Sequence, residues 1–307
     1  MSKTKVITGR GVITRFATSI EEYYQKYNSF LDGTFSFHEN YLNKNIKLKD
    51  KEVLEDLPRI GVTLKTLLLA TEQAVKESNL IINYTNAERV GVIVCTQDGV
   101  MESQIRYLNT LHKTQQNSSM LFQHTANNLL SGVLAIKYGI RGYSTVICNS
   151  TASGWDAFLL ANYLIDKNVL ETVIVACCDG TSQYHMEDRD SVITNQSCVL
   201  LIEAEDMAKR RQQVSLGRLN INGKCTHESS ENGLILWKGI DNKSYSIELK
   251  SSTLQNERVL DLTSFIGNNN CSSISQCVLI ALQEKRGKCV SINIDKKNNE
   301  MEMMNIN

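Results

Sequence analysis

Residues 130–154 read LSGVLAIKYGIRGYSTVICNSTASG. Leu129, Leu130, Val133, Leu134 and Ile136 recur at helical spacing, which predicts a helix over residues 124–138. Ser144 to Cys148 follows as a short apolar strand. From Thr151 to Asp166 a second helix is apolar on most sides, with Trp155, Phe158, Leu159, Leu160, Leu164 and Ile165. A helix without a polar face belongs inside a core rather than on a surface.

The same alternation extends outward in both directions. Arg89 to Cys95, Thr172 to Cys177 and Ser197 to Glu203 are nearly continuous apolar runs, as expected of strands covered on both faces. Leu64, Leu67, Leu68, Thr71, Ala74 and Val75 predict a helix over residues 63–77. Val6 to Thr14, VITGRGVIT, reads as a strand, a tight bend at the glycines and a second strand. Ser19 ahead of Glu21 and Glu22 is a capped helix start. Beyond a charged KRRQQ connection, residues 214–222, 258–264 and 288–294 are candidate strands and 272–283 a helix. Residues 224–257 give no clear pattern, and a solvated tail is expected after Asp295. Buried strands alternating with helices define an α/β fold with helices on both sheet faces.

Composition narrows the function classes. The 307 residues carry 33 basic and 33 acidic side chains. That balance gives no global attraction to nucleic acid or to a membrane surface. Residues 1–14 lack a signal-peptide core and no run of eighteen apolar residues occurs, so a cytoplasmic protein without a membrane span is expected. The nine cysteines include no C-x-x-C pair, so no metal site is expected, and their odd number argues against a complete disulfide framework. Cys95, Cys148 and Cys198 lie in apolar runs and read as buried, reduced thiols. Gly9-Arg10-Gly11 is too short for a dinucleotide fingerprint, and Glu187, Asp188 and Asp190 around Arg189 read as a solvated charge cluster.

Taken in order, these pieces resemble the β-ketoacyl synthase family of the thiolase superfamily. VITGRGVIT resembles its opening hairpin, and ERVGVIVCT (88–96) the strand after its first long helix. Residues 130–154 resemble the approach to its nucleophile, VIVACCDG (173–180) the next core strand, and residues 197–203 the strand ending its first half. The resemblance implies a five-layer αβαβα fold of two related halves. These are placed at residues 1–213 and 214–307, with the second half shortened.

In the resembled family a cysteine in an S-T-A-C-A-S-G run begins a buried helix, where the helix dipole favours its thiolate. Two histidines complete the site by polarising the thioester carbonyl. Here Ala152, Ser153 and Gly154 align with A-S-G, which puts Thr151 at the cysteine position. Ser264-Phe-Ile-Gly-Asn268 matches the S-M-T-G-H run and puts Asn268 at a histidine position. The other histidine motif has no counterpart. Cys148, three residues upstream of Thr151, sits on the strand rather than at the helix start. None of His38, His112, His124, His185 and His227 falls on a catalytic motif. A threonine hydroxyl is far less acidic than a thiol and needs an adjacent base.

The resemblance therefore implies a non-catalytic subunit like the chain length factors of type II polyketide systems. Such subunits form a heterodimer with an active ketosynthase and shape the acyl tunnel. No cofactor of its own is expected, because substrates ride on the phosphopantetheine of an acyl carrier protein. Tyr107, Leu111, Met120, Leu121 and Phe122 are the candidate tunnel liners; their alternative reading is ordinary core packing. Lys209 to Arg211 is either a solvated helix end or a dock for the acidic carrier protein. Two other functions stay open: a malonyl-thioester decarboxylase or acyltransferase using Thr151 or Ser150, and a structural homodimer that binds carrier protein or lipid.

Overall fold

The computed structural model describes residues 3–35, 61–149, 153–180, 195–222, 234–237, 258–266, 271–284, 287–292 and 301–306. The first half contributes strands β1 (Lys5–Ile13), β2 (Val90–Cys95), β3 (Ser144–Ile147), β4 (Thr172–Asp179) and β5 (Gln196–Ala204). Its helices are α1 (Ile20–Leu31), α2 (Val62–Glu77), α3 (Met101–Thr114), α4 (Ser119–Phe122), α5 (Leu129–Tyr138), α6 (Ser153–Asp166) and α7 (Glu205–Arg210). The second half contributes β6 (Gly217–Asn222), β7 (Leu234–Trp237), β8 (Arg258–Asp261), β9 (Gly287–Ile292) and β10 (Met301–Ile306), with helices α8 (Thr263–Ile266) and α9 (Ser273–Gln283).

The strands join in one sheet in the order β3-β2-β4-β5-β1-β6-β10-β9-β7-β8. β2 pairs in parallel with β3 and β4, whereas β5 pairs antiparallel with β4 and β1. The second five strands repeat the scheme: β7 is parallel to β8 and β9, and β10 antiparallel to β9 and β6. In each half the order from the outer edge is third, second, fourth, fifth, first. The halves meet where β1 and β6 pair over Lys5–Ile7. This duplicated, layered α/β architecture is the thiolase-like fold that the sequence implies.

Burial follows the period of two expected of strands covered on both faces. Ile93, Cys95, Val175, Cys177, Leu200 and Ile202 pack with α1, α6 and α9. Val92, Val94, Ile174, Ala176, Val199 and Leu201 turn the other way, onto α2 and α5. Nine consecutive residues of α9, Ile274 to Leu282, are buried. That helix touches α6 and β5 on one side and β7, β9 and β10 on the other, so it forms the middle layer.

Several elements differ from the sequence reading: the candidate strand over 258–264 ends at Asp261 and gives way to α8, and the helix read over 124–138 begins at Leu129. The expected opening hairpin is a single strand, β1, with a register irregularity between Ile7 and Gly9. Its glycines serve packing rather than a bend: a Cβ on Gly9 or Gly11 would collide with the carbonyl of Ala74 or Ala70 on α2. β7 falls in the stretch that gave no pattern, and β10 in the expected solvated tail. Both runs are short, and pairing with neighbouring strands overrides their weak local signal. The Ser19 cap holds: its side chain accepts the Glu22 N–H at 3.2 Å.

Candidate functional site

β2, β3 and β4 are parallel, so their C-terminal ends converge on one side of the sheet. Open α/β sheets form ligand sites at such ends. Ser153, fully buried at the start of α6, ties two of them together. Its Oγ accepts the Asn149 N–H at 2.6 Å and donates to the Thr96 carbonyl at 3.1 Å. Asn149 Nδ2 donates to Asp156 on the first turn of α6 at 2.8 Å. Both flanks of the run containing Ser150 and Thr151 are therefore anchored, while those two residues lie outside the described ones.

Asp179, at the end of β4 and 1% exposed, reaches the start of α9. Its carboxylate accepts the Cys271 N–H at 2.9 Å, the Ser272 N–H at 3.1 Å and the Ser272 hydroxyl at 2.6 Å. A buried carboxylate is tolerated there because it caps orphan helix amides and complements the positive end of the helix. Gln276 Nε2 donates to Ser272 Oγ at 3.1 Å, and Tyr23 of α1 donates to Gln276 Oε1 at 3.1 Å. The starts of α6 and α9 touch, since a Cβ on Gly154 would strike the carbonyl of Cys271. Two positive helix ends thus adjoin the strand termini, an arrangement suited to an anionic or polarised oxygen.

Phe265 on α8 anchors the segment leading toward Asn268, itself outside the described residues. Its ring is fully buried, with the rings of Phe16, Tyr23, Tyr27, Phe30 and Phe35 at centroid distances of 5.1–5.9 Å. Sequence reasoning missed Ser153, Asp179 and Phe265 as organisers of this region. The available signal for Asp179 was a lone charge closing an otherwise apolar strand.

Cys148 is exposed, against the sequence expectation of burial. Among the described residues β3 is an edge strand with a neighbour on one side only, which leaves less cover at its end. The Cys148 thiol donates to the Gln97 carbonyl at 3.2 Å. Partial burial and then the Asp98 charge hold its pKa above the ordinary thiol value. An activated nucleophile needs the opposite shift. Cys95 and Cys198 are buried as read.

The five candidate liners lie on α3 and α4, which leave the end of β2 through a turn closed by Gly99 N–H to Thr96 Oγ1 at 3.1 Å. Tyr107 meets Phe122 edge-on at 5.6 Å, and its hydroxyl donates to Asn117 Oδ1 at 3.1 Å. Leu111 and Leu121 are half-buried, whereas Met120 and Phe122 are 47% and 58% exposed. No residue of either helix is buried, so these side chains lie toward the surface rather than in the core. His112 is exposed and His124 half-buried; His38, His185 and His227 lie outside the described residues. The Lys209–Arg211 cations are paired, with Glu205 at 3.1 Å, Asp206 at 3.5 Å and buried Glu203 at 2.7 Å. Among the described residues no cluster of three metal-binding side chains occurs, and no helix is long and apolar enough to cross a membrane.

A duplicated α/β sheet with two helix starts abutting at its parallel strand ends defines the class: a thiolase-like ketosynthase fold. The model of the β-ketoacyl synthase N-terminal domain matches residues 3–186, and the chain belongs to that family. It is 26% identical over 192 residues to 3-oxoacyl-[acyl-carrier-protein] synthase 2 of Synechocystis sp.. That match covers 58% of this chain and only 45% of the relative's length. Among solved structures, the fold resembles a type II polyketide synthase acyl-carrier protein in complex with its ketosynthase bound to the hexaketide. There the TM-score is 0.76 at 16% identity, covering 99% of both chains. It also resembles the ishigamide ketosynthase/chain length factor, with a TM-score of 0.69 at 12% identity and 99% of both chains covered.

Proposed function

We propose that this chain is a non-condensing, chain-length-factor-like subunit that pairs with an active ketosynthase and borders its acyl tunnel. The reading rests on the motif alignment that puts Thr151 at the family's cysteine position; the described flanks of that run, Asn149 and Ser153, are anchored. A threonine hydroxyl at this position needs an adjacent base before it can attack a thioester. Asn268 at a histidine position agrees with that loss. Cys148, the exposed thiol among the described cysteines, donates to a carbonyl and carries a raised pKa.

Pairing is supported by the uncovered side of the molecule. Among the described residues no strand lies beyond edge strand β3, and Tyr143 and Ile136 beside it are 41% and 84% exposed. Leu108, Met120 and Phe122 add to the apolar surface that the same half leaves open. An exposed sheet edge with apolar neighbours needs a cover. We assign that cover to a ketosynthase chain, with α3 and α4 pressed between the two chains as part of the tunnel wall. The halves are divided after residue 213, and substrates arrive on an acyl carrier protein. Arg211 is committed to buried Glu203, whereas Lys209 and Arg210 make only exposed pairs within α7 and stay available to an acidic carrier.

The test is co-expression with a ketosynthase encoded beside this chain, followed by size-exclusion chromatography with light scattering. A one-to-one complex is expected. A homodimer or monomer that ignores the ketosynthase overturns the reading. Carbon dioxide release from malonyl thioesters by the isolated chain, lost in Thr151→Ala, would replace it with the decarboxylase reading.

A further inference from the structure

Six of the described cysteines are buried, and two of them meet sulfur to sulfur. Cys95 on β2 and Cys177 on β4 are register partners on neighbouring parallel strands. Both side chains turn to the face that holds α6 and α9. Their Sγ atoms lie 2.7 Å apart. Adjacent strands run about 4.7–4.9 Å apart, within the Cα separations of about 4.4–6.8 Å that a disulfide spans.

The neighbours distinguish this pair from the other thiols. Cys177 Sγ also contacts Ser275 Oγ of α9 at 2.9 Å. Cys271 directs its thiol to the carbonyls of Cys95 and Cys178, at 3.3 and 3.4 Å. Burial pushes the thiol pKa values of Cys95, Cys178, Cys198 and Cys271 up, so none is a ready thiolate in the closed core. Oxidation is therefore limited by local opening and by access of a small oxidant.

We propose that Cys95 and Cys177 form a redox-convertible pair, which a peroxide joins in a disulfide between β2 and β4. One thiol loses its proton and attacks the O–O bond; the leaving hydroxide takes up that proton, giving a sulfenic acid and one water. The second thiol displaces the hydroxyl of the sulfenic acid, forming the S–S bond and releasing a second water. Overall, two thiols and one hydrogen peroxide give one disulfide and two waters; the sulfurs are oxidised and the peroxide reduced. A dithiol reductant reverses the step. The bond pulls the Cys177 sulfur from Ser275, so α9 loses a contact beside the candidate site. It also links residues 82 apart in sequence, which restricts the unfolded chain. The inference is independent of the pairing proposed above.

The test uses the full reduced chain, treated with hydrogen peroxide and then blocked with an alkylating agent. Intact mass before blocking is expected to fall by about 2 Da, the two hydrogens lost on disulfide formation. A non-reducing peptide map is expected to join the Cys95 and Cys177 peptides, and dithiothreitol to separate them. The oxidised chain should unfold at a higher urea concentration than the reduced chain. Cys148→Ser should leave the cross-link intact, whereas Cys177→Ser should abolish it. If Cys177→Ser fails to fold, the wild-type map decides alone. An unchanged mass, oxygen adducts without a cross-link, or a cross-link to any other cysteine would overturn the proposal.

Discussion

Truncating Phe265 to alanine removes the centre of the aromatic box that ties the second half to the N-terminal segment. The ring is fully buried and faces five others, from Phe16, Tyr23, Tyr27, Phe30 and Phe35. Removing it forfeits roughly 100 Å² of buried apolar area, or about 2.5 kcal/mol at 25 cal/mol per Å². A residual cavity of about 80 Å³ adds about 2 kcal/mol at 24 cal/mol per Å³. The sum, about 4.5 kcal/mol, falls within the range of about 3–5 kcal/mol for such truncations. Against a total stability of about 5–15 kcal/mol it is a large share. With a urea dependence of about 3 kcal/mol per molar, the midpoint should drop by about 1.5 M. Urea melts followed by the fluorescence of Trp155 and Trp237 provide the assay. Phe265→Leu, which refills part of the space, should lose less than half as much. A loss below about 1 kcal/mol for the alanine variant, less than the transfer term alone, would show that the box does not anchor α8.

Gly11→Ala drives a methyl group into the backbone carbonyl of Ala70, so β1 and α2 must separate. It should cost about 1–3 kcal/mol or more, as overpacking does, read as a lower thermal midpoint. Asp179→Ala leaves two amides and a hydroxyl at the start of α9 without their acceptor. Unsatisfied buried donors cost about 1–3 kcal/mol each, and amide exchange at Cys271 and Ser272 should accelerate at least tenfold. Cys148, exposed among the described cysteines, should alkylate before the others yet more slowly than free cysteine at pH 8, because burial and Asp98 raise its pKa. Asp98→Asn removes one of those causes and should speed the reaction; an unchanged rate would exclude the electrostatic contribution. Glu72 is partly buried, but Lys76 and Lys137 outweigh that effect and lower its pKa. Its stabilising share is present above the unfolded glutamate pKa and is lost as pH falls through the lower folded value. Glu72→Gln should therefore flatten the acid limb of a stability–pH profile.

The first half was legible because its signals are local and strong. β2, β4 and β5 are unbroken apolar runs, and α2 and α6 are long enough for their spacing to show. Gly9 and Gly11 misled because glycine marks turns in isolation, and only the nearness of α2 reveals that these two permit contact. Cys148 misled because apolar neighbours predict burial, whereas an edge strand can leave its end bare. β7 and β10 escaped because four to six residues carry little periodicity before their neighbours are known. Within the site, Thr151 and Asn268 are placed by motif alignment alone, and both lie outside the described residues. The partners of Asp179 could not be read, since nothing in sequence joins residue 179 to residues 271 and 272, which lie more than ninety positions away.

The position of β10 sets an order in time. It lies between β6 and β9, although some eighty residues separate it from β6 along the chain. At a synthesis rate of about 5–20 residues per second, β6 waits roughly 4–16 s on the ribosome before its neighbour exists. During that interval the first half can fold through β1 and β5, while the open side of β6 is available to any strand that meets it. Nascent chains of this protein should therefore bind holding chaperones most strongly between the emergence of residue 222 and that of residue 301.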